Sequence, residues 1–152
     1  MAIAAGNAFT IVLQNISLNS KVWACGSNNN GQLGIGTTID SNYLVPVIGM
    51  SSTGAIGIAA GYDHAVVMKT DGTVWAWGNN SNGQLGNGTT TLSATPVQVS
   101  GMSGVAAIAA GQQDTVALKT DGTVWAWGYN FYGQLGDRST NVRHTPVQAQ
   151  QP

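Results

Sequence analysis

Catalysis needs nucleophiles, proton carriers or metal ligands brought together, and this 152-residue chain offers few of them. It has two histidines, one cysteine, six aspartates and no glutamate. His64 follows "AAGYD", so Asp63 is its neighbour, but no second histidine stands at a metal-binding spacing. His144 lies in another segment, and no Ser-His-Asp or Cys-His set can be built from spacing. Cys25, as the only cysteine, excludes an intrachain disulfide and a multi-cysteine zinc site. Asp71 and Asp121 each precede a glycine and read as turn residues. The loop pattern "NxxGQLGxGTT" is glycine-rich like a phosphate cradle, yet no helix signal follows it and no lysine holds the P-loop place. The expectation is a protein that is not an enzyme, with no catalytic residue, no cofactor and no metal.

Contact chemistry has a better claim. One loop is written three times, as Ser27-Asn28-Asn29-Asn30, Asn79-Asn80-Ser81-Asn82 and Tyr129-Asn130-Phe131-Tyr132. Only the third is aromatic. Tyr129, Phe131 and Tyr132 are therefore the candidate contact residues for a protein partner, since exposed aromatics anchor interfaces. The competing reading is that Tyr132, just before the "GQLG" glycine, packs within the chain.

These loops sit in a repeated frame. "KTDGTVWAWG" runs from Lys69 to Gly78 and returns from Lys119 to Gly128, and a worn copy, "SKVWACG", runs from Ser20 to Gly26. Three units follow, at about 1–50, 51–100 and 101–152, the first with a longer connection, "LQNISLNSK". Each reads as four short strands: an apolar stretch such as "IGIAAG", then "HAVVMK", then "TVWAWG", then "TPVQV". A two-residue type I′ turn at Asp121-Gly122 sets Lys119 opposite Val124, Leu118 opposite Trp125, Ala117 opposite Ala126 and Val116 opposite Trp127. One face then carries Val116, Leu118, Trp125 and Trp127, and the other Ala117, Val124 and Ala126. Both faces are apolar, so both need cover. Stacked units meet this need if Trp23, Trp75, Trp77, Trp125 and Trp127 form the core between neighbours. Cys25 takes the place of Trp77 and Trp127 in the first copy.

Composition limits the partners. Charged residues make up 7% of the chain, against roughly 25% in ordinary proteins. Lys21, Lys69, Lys119, Arg138 and Arg143 are scattered, which excludes a basic stripe for nucleic acid. No apolar run reaches the roughly 20 residues of a membrane span. "MAIAAGNAFT" lacks the basic start of a signal peptide, which leaves the compartment open; a secreted parent shorn of its leader is compatible with it.

Four-stranded units of about 50 residues without helix signals read as propeller blades. "IAAGYDHAVVMKTDG", "VWAWGNNSNGQLGNGTT" and "TPVQV" together resemble the regulator of chromosome condensation (RCC1) repeat, and "IAAGQQDTVALKTDGTVWAWGYNFYGQLG" matches it again. The resemblance implies an all-β fold of three four-stranded antiparallel blades of a β-propeller, usually seven-bladed in that family. It also implies action through surface loops, as in nucleotide-exchange factors for small GTPases and a secreted inhibitor of β-lactamases. Three blades are fewer than the 4–8 that close a ring. The expected partner is therefore the chain itself, two copies closing a six-bladed ring, with a further protein on the loops. The alternatives are a purely structural self-assembling protein and a piece of a longer propeller.

Overall fold

The computed structural model describes residues 1–16 and 19–150. All its regular elements are strands: β1 (Ala2–Ala5), β2 (Phe9–Ile16), β3 (Asn19–Gly26), β4 (Ser41–Ser51), β5 (Ala55–Ala60), β6 (His64–Lys69), β7 (Val74–Gly78), β8 (Ser93–Gln98), β9 (Val105–Ala110), β10 (Asp114–Lys119), β11 (Val124–Gly128) and β12 (Arg143–Gln148). They form three antiparallel sheets of four strands in simple sequence order, β1 to β4, β5 to β8 and β9 to β12. Each sheet is one blade, and β1, β5 and β9 are neighbours along one side.

The hairpin turns differ from the sequence expectation. Lys69 N–H bonds the Thr73 carbonyl at 3.0 Å, and Gly72 N–H bonds the Lys69 carbonyl at 2.9 Å. The loop therefore holds three residues, not two, and only its glycine has positive φ (76° at Gly72, 84° at Gly122). The reason is local. The Asp71 carboxylate accepts from the Thr73 N–H at 2.9 Å and from the Thr73 hydroxyl at 2.6 Å, so aspartate acts as a clasp and needs no left-handed backbone. Asp121 and Thr123 repeat these bonds.

That extra residue shifts the register by one and exchanges the faces. Leu118 pairs with Val124, Ala117 with Trp125, Val116 with Ala126 and Thr115 with Trp127. One face carries Thr115, Ala117, Trp125 and Trp127, and the other Val116, Leu118, Val124 and Ala126. In the first blade the "LQNISLNSK" connection is largely strand, with Gln14 opposite Lys21 and Asn15 opposite Ser20; its Ser17 and Leu18 lie outside the described residues.

Each tryptophan face looks toward the preceding blade. Between the first two blades, Ile11, Leu13, Val22 and Ala24 meet Ala65, Val67 and Trp77. Between the second and third, Val66, Met68, Val74 and Ala76 meet Ala117 and Trp127. The middle blade is covered on both sides, which is why β6 is buried from His64 to Met68. The ring-to-core assignment needs correction at Trp23. Trp77 and Trp127 are wholly buried, and Trp75 and Trp125 are half-buried but pack against the same cores. Trp75 and Trp125 lie nearer the hairpin end, under Lys69 Nζ at 4.1 Å and Lys119 Nζ at 4.7 Å from the ring centroids. Trp23 lies on the uncovered face of the first blade, where it borders a hollow with Met1, Val12, Gln14 and Leu44.

Candidate functional site

Antiparallel strands return the chain to the same end, so the "AAG" turns and the long "GQLG" loops share one end of the blades. The loops are built around a buried asparagine. Asn80 Oδ1 accepts from the Leu85 N–H at 3.0 Å, and its Nδ2 donates to the carbonyls of Thr89 and Thr91, each at 3.0 Å. Asn28 and Asn130 make the corresponding bonds. Gln84 Oε1 accepts from the Asn82 N–H at 2.9 Å. These amides supply the fixed partners that a loop with little regular structure otherwise lacks.

The three aromatics occur together on the third loop. Tyr129 is half-buried, with its ring centroid 5.2 Å from that of Phe131 and 6.3 Å from that of Tyr132. Phe131 is 65% exposed and Tyr132 88% exposed, so Tyr132 does not pack within the chain. Tyr129 and Tyr132 border a cleft of about 270 Å³ with Gln112, Gln113, Asp114 and Gln134. Burial pushes the Asp114 carboxyl up from its ordinary range, partly offset by the Gln113 backbone N–H. Arg143 and Asp137 form an ion pair at 2.7 Å beneath the same loop. Burial pulls Asp137 up, but hydrogen bonds led by Ser139 and Arg143 outweigh it and hold the carboxyl at about 2.

His64 is a coupling residue. It is wholly buried between the second and third blades, with Nε2 3.0 Å from the Thr115 hydroxyl. That hydroxyl donates to the Gln84 carbonyl at 2.9 Å, so it accepts from His64, and the ring proton sits on Nε2. Nδ1 has no partner. Burial lowers the pKa to about 4, which keeps the ring neutral at ordinary pH. His144 is exposed on β12, and among the described residues no three His, Cys, Asp or Glu side chains group as metal ligands.

The His64 geometry gives a pH prediction. Its folded pKa of about 4 lies below the ordinary histidine value of 6.5, so the unfolded chain binds the proton first and stability falls with acidification between these values. From neutral pH to about pH 4.5 the loss should be roughly 2–3 kcal/mol. Asp63 and Asp114, raised by burial, oppose it at the acid end. Urea titrations across this range check the sign, and His64→Phe, which copies the Phe9 of the first blade, should flatten the slope.

Sequence reasoning missed the coupling between blades. Trp77 Nε1 donates to the Gln32 carbonyl at 2.8 Å, and Trp127 Nε1 to the Gln84 carbonyl at 2.9 Å. Asn30 Nδ2 reaches Asp63 at 3.2 Å, and Asn82 Nδ2 reaches Gln113 at 3.1 Å. The signal was the pairing of "WAWG" with a "GQLG" loop in the preceding copy, visible in the repeat but silent about which atom meets which.

Comparison with known proteins agrees with this architecture. The regulator of chromosome condensation (RCC1) repeat matches residues 19–68, 71–118 and 121–152. These segments are out of phase with the sheets: the first two each join the outer strands of one blade to the inner strands of the next. The human E3 ubiquitin-protein ligase HERC2 is 32% identical over 99 residues, covering 65% of this chain and 2% of that protein. Human WBSCR16 superposes with a TM-score of 0.85 at 25% identity, over 97% of this chain and 37% of its own. Yeast RCC1 (Prp20), solved bound to Kap60, superposes with a TM-score of 0.83 at 18% identity, over 99% of this chain and 37% of its own. The chain thus spans far less than two thirds of each of these proteins. With the repeat matched three times between residues 19 and 152 and its sheets stacked as RCC1 blades, the chain belongs to the RCC1 repeat family.

Proposed function

We propose that this chain is a non-enzymatic binding scaffold whose blades hold a loop surface for a protein partner. The observation that carries this is the aromatic cluster of Tyr129, Phe131 and Tyr132, two of whose rings face solvent on a loop fixed from beneath. Yeast RCC1, which shares this fold, is itself a protein bound by Kap60, and this supports the reading. Replacing Phe131 and Tyr132 together by Ser should change stability by no more than about 0.5 kcal/mol, as exposed substitutions do. The same change should abolish partner recovery in a pull-down. Unchanged recovery would remove the loop from the binding surface.

The scaffold also associates with itself in this reading. The first blade leaves Ile3, Val12, Trp23 and Leu44 uncovered or half-covered, and the third leaves Val116, Leu118 and Val124. Head-to-tail docking covers both faces, and two chains then close a six-bladed ring; without closure the contact propagates. Sedimentation distinguishes these: a species of twice 15.6 kDa supports the ring, and a 15.6 kDa monomer refutes it. A second reading, favoured by the 37% coverage of WBSCR16, is that further blades of a longer propeller cover these faces.

A further inference from the structure

We infer that the open face of the third blade is an acceptor for an indole, and that the occupant it fits is a propeller blade carrying tryptophan at the place of Trp77 and Trp127. This rests on the reading that the end faces are docking surfaces, and it names what must dock. Both internal seams show the same arrangement. An indole N–H meets the backbone carbonyl of the "GQLG" glutamine, at 2.8 Å for Trp77 on Gln32 and 2.9 Å for Trp127 on Gln84. The ring lies against the second glycine of that loop. A Cβ on Gly34 would come within 2.8 Å of Trp77 Nε1, and one on Gly86 within 2.7 Å of Trp127 Nε1.

The third blade repeats the receiving half of this seam with nothing in it. Gly136 has only Ala149 near a Cβ position, at 3.4 Å. No donor meets the Gln134 carbonyl among the described residues. Leu118, at the place of the buried Met68, is 41% exposed. The Gln134 carbonyl, Gly136 and the buried Leu135 stand where Gln32, Gly34 and Leu33, and again Gln84, Gly86 and Leu85, hold an indole, with Ala149 in place of Val47 and Val99.

A second copy of this chain lacks the matching group. Its outer face presents Cys25 opposite Thr10, where Trp77 stands opposite Ala65 and Trp127 opposite Thr115. A thiol fills little of the hollow and is a weak donor to the carbonyl. Cys25 therefore makes a second copy a weaker occupant than a tryptophan-bearing blade.

The test converts the chain into such an occupant. Sedimentation equilibrium of the full chain should show Cys25→Trp associating at least about tenfold more tightly than the unaltered protein. Cys25→Phe, which brings a ring without the N–H, should show a smaller gain, and it carries the test if Cys25→Trp does not fold. Adding Leu118→Asp on the receiving face should erase either gain. A monomeric unaltered chain with an associating Cys25→Trp supports the inference and refutes self-association of the natural chain. Equal association of the unaltered chain and both Cys25 variants overturns the inference and leaves self-association standing. Three monomers overturn both.

Discussion

Trp127→Ala is expected to cost the fold about 3–5 kcal/mol, the range for truncating a large buried aromatic. The ring is wholly buried between the second and third blades, among Ala76, Leu85 and Val99. Its loss leaves a cavity that a sheet on either side cannot collapse to fill. It also strips the Gln84 carbonyl of one of its two donors, the other being the Thr115 hydroxyl. Trp125→Ala, two residues earlier on the same strand face, should cost only about 1–2 kcal/mol, because that ring is half-buried at the edge of the core, beside Lys119 and the Thr123 hydroxyl. Denaturant titrations of the two variants would separate the roles. Equal losses would mean that the two rings of "WAWG" share one environment, contrary to the burial seen.

That asymmetry shows how far the sequence could be read. The repeat gave the number of sheets, their strand count and the need to cover both faces, because these depend on period and composition. Register was lost at a single residue. "TDGT" has the letters of a two-residue turn, and the outcome depended on whether the Asp71 carboxylate would clasp Thr73, a contact between side chain and backbone that dipeptide preference does not encode. Once the register slips, every face assignment follows it. The outer and inner tryptophans were likewise indistinguishable by type. Their difference comes from distance along the strand to the loop that caps Trp77 and Trp127. The aromatic loop, by contrast, was visible as a departure from its two sister copies, and the structure gathers its three rings. His64 opens β6, but its partner Thr115 lies on another blade and no local pattern points to it.

Asn80→Ala should be nearly as damaging as loss of Trp127, at about 3–4 kcal/mol, though it removes almost no apolar surface. The amide is completely buried inside its own loop. It accepts from Leu85 N–H and donates to Thr89 and Thr91, with Asn87 as a further acceptor at 3.2 Å. Each bond contributes roughly 0.5–1.5 kcal/mol net, and a buried group left without its partner costs about 1–3 kcal/mol. Leu85 N–H is such a group, since Leu85 is itself fully buried beneath Trp127. The loop would lose its internal frame at the point where it supports the indole of the next blade, so the two losses should not be additive. The double variant Asn80→Ala, Trp127→Ala should fall at least about 1 kcal/mol short of the sum of the single losses. Full additivity in urea titrations would show that the asparagine frame and the tryptophan seam stabilise the blades independently. A shortfall would show that the buried amide acts by holding the Gln84 carbonyl and Leu85 side chain where the neighbouring blade needs them.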